Sequence, residues 1–228
     1  MRRAFTLVEL LVVVGVIVLL LTIMLPTFVL MEDLARRTAC ENNHHQLIGA
    51  VAQYSANANT YLTYPNWLAP ETSHAWEGAG WLYYYDKLTN PLYNYVLADL
   101  RNGLLWPYLA NHQTYRCPAD VSPRANSSNA ITSYLMNGSV AGYGRSPLRL
   151  YRALDFDPLA IAIWEAEDTL WNDGSSFPSE GLTRRHRDGA TVGCFDGHAD
   201  WISRDAFNLE IAKYPGRLWC NPGMPTGY

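Results

Sequence analysis

The sequence predicts an α+β fold, in which one long N-terminal helix lies on an antiparallel β-sheet. Three observations predict it. Residues 5–31 are almost wholly apolar and run without a break into an amphipathic stretch. Short apolar runs rich in Ile, Val and aromatic residues lie in the C-terminal half. The last of these pairs across Asp196-Gly197 as a two-residue hairpin. At 228 residues the chain is long enough to bury a sizeable core.

The first element follows Met1-Arg2-Arg3-Ala4. The run from Phe5 to Met31 has the length that spans a bilayer at 1.5 Å per residue. Two arginines ahead of it predict that the start stays cytoplasmic. A secretory signal has a shorter apolar region and ends at small residues, whereas this one continues into Pro26-Thr27-Phe28-Val29-Leu30. Glu9 stands alone in the run. A carboxylate at that depth costs about 3 kcal/mol and calls for a partner. No basic residue follows within one turn, so the nearest cation is an amine created on Phe5 by cleavage after Ala4.

After Pro26 the pattern turns amphipathic. Leu30, Leu34, Leu47, Ile48, Val51 and Tyr54 recur at helical spacing, with Glu32, Asp33, Arg36, Arg37 and Glu41 between them. We expect one helix from about Phe5 to Ser55, roughly 75 Å long. Asn57-Ala58-Asn59-Thr60 ends it. Residues 60–125 are irregular and rich in Trp, Tyr, Pro and Asn, with a short helix expected over Leu92–Leu100. Packing of this insertion onto the sheet is the simplest use of its rings, since buried Tyr and Trp need only a polar partner.

Strands are expected over Ile131–Met136 and Leu159–Trp164. In the hairpin register, Phe195 faces His198, Cys194 faces Ala199, and Val192 faces Trp201. Val192, Cys194, Ala199 and Trp201 then share the core face, and Phe195, His198, Asp200 and Ile202 the other.

Composition excludes some functions. The net charge is −4, and there are two lysines, Lys87 and Lys213. Clustered cations carry phosphate affinity, so no nucleic-acid partner is expected. The chain has 8 Trp and 15 Tyr against 6 Phe, a set of rings with polar handles suited to half-wet surfaces.

Arg3-Ala4-Phe5-Thr6-Leu7-Val8-Glu9-Leu10 resembles the prepilin cleavage and methylation motif of type IV pilins and type II secretion pseudopilins. The resemblance implies a leader at 1–4, cut between Ala4 and Phe5 by a prepilin peptidase, and an N-methylphenylalanine at Phe5. It implies that Glu9, fifth in the mature chain, guides assembly. Pro26 falls where that family often has a proline that lets the helix melt locally. Ala4 replaces the usual Gly, for which slower processing is expected. The chain then divides into leader 1–4, transmembrane and filament-core helix 5–31, amphipathic stalk 32–57, and a pilin-like globular part 58–228.

His186, nine residues and Asp196-Gly197 resemble the H-X9-DG signature of a group of pilin-like proteins, within a region spanning 186–202. Cys40-Glu41-Asn42-Asn43, Gln46-Leu47-Ile48-Gly49, Tyr115-Arg116-Cys117-Pro118-Ala119-Asp120 and Ser133-Tyr134-Leu135-Met136-Asn137 agree with it in order.

Three readings of His186, Asp196 and His198 stand. Asp196-Gly197 is what a tight turn requires, with His186 bonded to it. The three can ligate a transition metal. Major pseudopilins, which the chain resembles, often bind calcium in a C-terminal loop, and Asp188, Asp196 and Asp200 can supply oxygens for such a divalent ion. No motif demands a cofactor. A hydrolase needs more than Glu165, Glu167 and Asp168 near His186 and His198, and no catalytic signature accompanies them, so no enzyme is expected.

Beyond the membrane helix, disulfides persist if the compartment is oxidising. Four cysteines allow three pairings, of which Cys40–Cys117 and Cys194–Cys220 tie stalk and tail to the domain. A buried free thiol at Cys194 is the alternative. The expectation is a structural subunit, made in the inner membrane with its globular part outside the cytoplasm. It joins identical or related subunits in a pilus or pseudopilus, periplasmic or extracellular. The alternative is a membrane-anchored module that binds glycans or surfaces through Trp67, Trp76 or Trp81.

Overall fold

The computed structural model describes residues 5–67, 78–86, 95–121, 131–144, 149–167 and 173–228. The leader, Trp76 and Asp168 lie outside them.

Helix α1 spans Leu7–Asn57, 51 residues in one element. Thr6 caps it, and Glu9 returns the bond: the Glu9 carboxylate accepts from the Thr6 N–H at 2.8 Å, and the Thr6 hydroxyl accepts from the Glu9 N–H at 3.2 Å. The helix ends where Asn59 and Thr60 take positive φ and the Thr60 N–H bonds the Ser55 carbonyl at 2.8 Å. The two halves of α1 differ. Large apolar side chains from Leu7 to Leu34 are exposed, whereas Cys40, His44, Leu47, Ile48, Val51 and Ser55 form a buried stripe. Leu30 and Leu34, the first two members of the helical-spacing series, are exposed.

A two-stranded ribbon, β1 (Gly78–Ala79) and β2 (Tyr84–Tyr85), lies in the aromatic insertion. Among the described residues, Trp81, Tyr83, Tyr85, Tyr95 and Tyr115 are core, whereas Tyr61 and Tyr84 are exposed. Trp81 is fully buried and donates Nε1–H to the Gly174 carbonyl at 2.9 Å, and Tyr83 stacks on Tyr95 at 3.6 Å. A 3-10 turn over Leu97–Asn102 replaces part of the expected helix, and α2 (Trp106–Leu109) follows.

The main sheet holds β3 (Leu135–Asn137), β4 (Ile161–Trp164), β5 (Ser175–Ser176), β6 (Gly189–Cys194) and β7 (Ala199–Ser203) in the order β5-β3-β4-β6-β7. Every pair is antiparallel except β3 with β5. The first strand begins later than expected. The Thr132 hydroxyl and the Ser133 N–H both bond the Tyr115 carbonyl, which diverts residues 131–134 from the ladder.

One face of the sheet carries α1 and the other carries α3 (Arg204–Ile211), whose Phe207 packs on Trp164. A Cβ at Gly193 would lie 3.1 Å from Ile48 and 3.2 Å from the His44 ring, so glycine lets the helix approach the sheet.

The hairpin register differs by one residue from the expected one. Gly193 faces Ala199, Val192 faces Asp200, and Thr191 faces Trp201. The turn takes an extra residue: the Gly197 N–H bonds the Cys194 carbonyl at 3.0 Å, the Cys194 N–H bonds the His198 carbonyl at 2.9 Å, and Gly197 has φ +95°. The shift exchanges faces on β7. Ile202, not Trp201, joins Val192 and Cys194 in the cluster under α3. Trp201 lies instead on the side of α1, beneath the Arg37 guanidinium at 5.1 Å.

Candidate functional site

The expected trio does not converge. His186 precedes β6, whereas Asp196 and His198 lie in the turn that follows it. Six strand residues put roughly 20 Å between the two ends. In the turn, the His198 ring and N–H both bond Asp196 Oδ1, at 2.6 and 3.0 Å, and the N–H bond chiefly holds the Asp196 carboxyl below its usual range. This is turn chemistry. The proposed calcium oxygens are likewise dispersed, with Asp188 paired to Arg184 before β6 and Asp196 beyond it. Of the other carboxylates, Glu167 pairs with Arg204 at 3.0 Å.

His186 instead enters a buried cluster with Cys40, Cys117 and Glu165, whose ligand-type atoms all lie within 4.8 Å of one another. Four segments deliver them. Cys40 opens the buried stripe of α1. Cys117 follows the 3-10 turn His112–Tyr115, its N–H bonded to Ser133 Oγ at 3.0 Å. Glu165 directly follows β4. His186 is fixed from both sides: its N–H bonds the Gly189 carbonyl, and its carbonyl accepts from Trp201 Nε1 at 3.1 Å. All four are at most 2% exposed.

The two sulfurs are 2.6 Å apart, Cys117 Sγ lies 3.3 Å from His186 Nε2, and that nitrogen lies 3.4 Å from Glu165 Oε1. Thr191 donates to Glu165 Oε1 from its hydroxyl at 2.5 Å and its N–H at 3.3 Å. Arg185 approaches Glu165 Oε2 at 3.5 Å and Asp120 at 3.4 Å. Burial opposes the Glu165 charge, but His186, Arg185 and Thr191 outweigh it and hold the carboxyl at about 2. Burial likewise opposes the His186 charge, but its contacts with Cys117 and Glu165 raise the imidazole to about 10. The Cys117 thiol is pushed up by its hydrogen bond with Cys40 and by burial.

All four cysteines are free thiols in the structure. The expected Cys40–Cys117 pair is brought together, hydrogen-bonded but without a disulfide. Cys194 and Cys220 are not joined either: Cys194 belongs to the cluster under α3, while Cys220 packs against the cluster under α1, beside Ser139 Oγ at 3.1 Å. Glu165 had a visible signal, a carboxylate at a strand end. Its meeting with both cysteines had none, because only tertiary packing joins positions 40, 117, 165 and 186.

Of the processing residues, Phe5 is exposed ahead of α1, Glu9 caps the helix, and Ala4 lies outside the described residues. Trp67 packs edge-on against Phe177 at 4.6 Å, and the buried Trp81 is closed to any glycan. No family profile, curated protein or solved structure matches the chain.

Proposed function

We propose that the chain is a pilin-like structural subunit, held in the membrane by the first half of α1 and assembled through that half into a filament. One observation carries the reading. The most apolar 18-residue window of α1 has none of its residues buried, although the helix is long and apolar enough to cross a membrane. Each large apolar side chain left in water costs about 1.5–3 kcal/mol, so such a surface is covered by lipid or by other helices. The second half of α1 is already occupied by the sheet, which gives the helix the two uses a pilin stalk needs. The resemblance of Arg3–Leu10 to a prepilin motif supplies the route: a prepilin peptidase cuts after Ala4, the Phe5 amine is methylated, and Glu9 meets the amine of a neighbouring subunit. Pilus and pseudopilus both fit, with the globular part outside the cytoplasm.

Intact-mass and N-terminal analysis of the native protein from sheared surface and membrane fractions tests this. The expected chain begins at methylated Phe5 and occurs in the sheared fraction or a periplasmic filament. A chain that keeps Met1–Ala4 and stays wholly in the membrane overturns the filament reading and leaves an anchored module.

A further inference from the structure

We propose that Cys40, Cys117, Glu165 and His186 form a closed structural site for a zinc ion, which clips the stalk helix to the globular part. The proposal is independent of filament assembly.

The donor set is two thiols, one imidazole and one carboxylate. Two thiolates select a soft or borderline ion, and a four-coordinate set with no open position suits structural zinc. The geometry supports this in two edges. Zinc bonds of about 2.0–2.3 Å at tetrahedral angles separate ligand atoms by about 3.3–3.7 Å. The separations of 3.3 Å between Cys117 Sγ and His186 Nε2, and of 3.4 Å between that nitrogen and Glu165 Oε1, already approach this. The sulfurs, at 2.6 Å, must part by about 1 Å. Cys40 and Cys117 lie on separate segments, so this needs a small shift of α1 against the loop.

The surroundings orient the donors. Thr191 fixes Oε1 of Glu165, the Arg185 guanidinium lies 3.5 Å from Oε2 as a counter-charge, and Cys117 Sγ accepts from the Ala119 N–H at 3.3 Å. Binding releases the two thiol protons, and the imidazole proton where it is present, to solvent. Two thiolates, one carboxylate and one neutral imidazole remain on the ion. A disulfide between Cys40 and Cys117 is the competing chemistry. It engages two of the four groups and leaves the convergence of Glu165 and His186 on the same point unused.

The test uses the full chain, exported with its own leader, extracted in detergent without reductant or chelator, and analysed by elemental and native mass spectrometry. One zinc per chain is expected, retained through dialysis. After chelation, added Co²⁺ should give intense tetrahedral visible bands with a thiolate charge-transfer band. Cys117→Ser should abolish the charge-transfer band or weaken it severely. Glu165→Gln, which keeps the side-chain volume, should lower metal retention at least tenfold without loss of far-UV dichroism. A metal-free chain that is two hydrogens light, with Cys40 and Cys117 in one linked peptide, overturns the proposal. So does a metal-free chain with free thiols that takes up no Co²⁺.

Discussion

In the isolated chain the Glu9 carboxylate closes the end of its own helix, accepting from both the Thr6 N–H and its hydroxyl at 2.8 Å. That role and the proposed pairing with a neighbour's amine separate under substitution. Glutamine can still complete the capping box, but it carries no charge. Glu9→Gln should therefore insert normally and fail to assemble, as should Glu9→Ala, with filament yield read from sheared fractions. Normal yield from Glu9→Gln would reduce Glu9 to a cap. His44 offers a second residue-scale test. Burial drives its pKa down to about 4, against the pull of Glu165. The folded imidazole is thus neutral where the unfolded one, near 6.5, takes up a proton. The His44 contribution to stability is complete above about pH 6.5 and is lost as the pH drops toward 4, by about 3 kcal/mol over the whole window. His44→Leu should flatten this slope in urea unfolding between pH 7 and 4.5. Parallel slopes for the two proteins would show that His44 is not its source.

At the scale of elements, the helix-on-sheet contact depends on Gly193. Alanine there meets Ile48 at 3.1 Å and the His44 ring at 3.2 Å, so the packed pair must give by a few tenths of an ångström. Gly193→Ala should cost about 1 kcal/mol and Gly193→Val about 3 kcal/mol in denaturant unfolding, since overpacking strains a filled contact. Equal stability of the three proteins would mean that α1 rides more loosely than its buried stripe implies. The same strand shows why the hairpin was legible and its register was not. Asp196-Gly197 suits a two-residue turn, and also a three-residue loop in which glycine takes the left-handed position. Alternation of polar and apolar residues usually decides between them. Here β6 is buried on both faces, by α1 and by α3, so Gly189–Cys194 presents no polar phase. The long helix was legible for the opposite reason: its first half is an unbroken apolar run of spanning length, and its second half carries a one-sided apolar stripe.

For the molecule as a whole, the two halves of α1 differ in what covers them: the first is apolar and bare, the second is packed on the sheet. No described side chain before Cys40 is buried, and this part of the stalk meets the domain through the Asp33–Arg187 ion pair at 2.9 Å and Arg37 over Trp201. The packed fold and the bare apolar half of α1 therefore draw on separate parts of the sequence. The candidate site belongs to the fold. It was only half legible, because Cys40 and Cys117 suggested each other as export partners, whereas Glu165 and His186 meet them only once β4 and β6 lie under the stalk. Removing residues 1–32 should accordingly leave the sheet, the cluster and the Asp33 pair in place. The exposed Glu32–Arg36 bridge is lost, a change of about 0.5 kcal/mol. The 33–228 fragment should be soluble without detergent, unfold in one transition, and keep a midpoint within a few degrees of the full chain in mild detergent. It should bind no vesicles and enter no filament. A fragment that aggregates or melts far lower would mean that residues 5–32 support the globular part directly, and their exposed apolar surface would then belong to folding as well as to assembly.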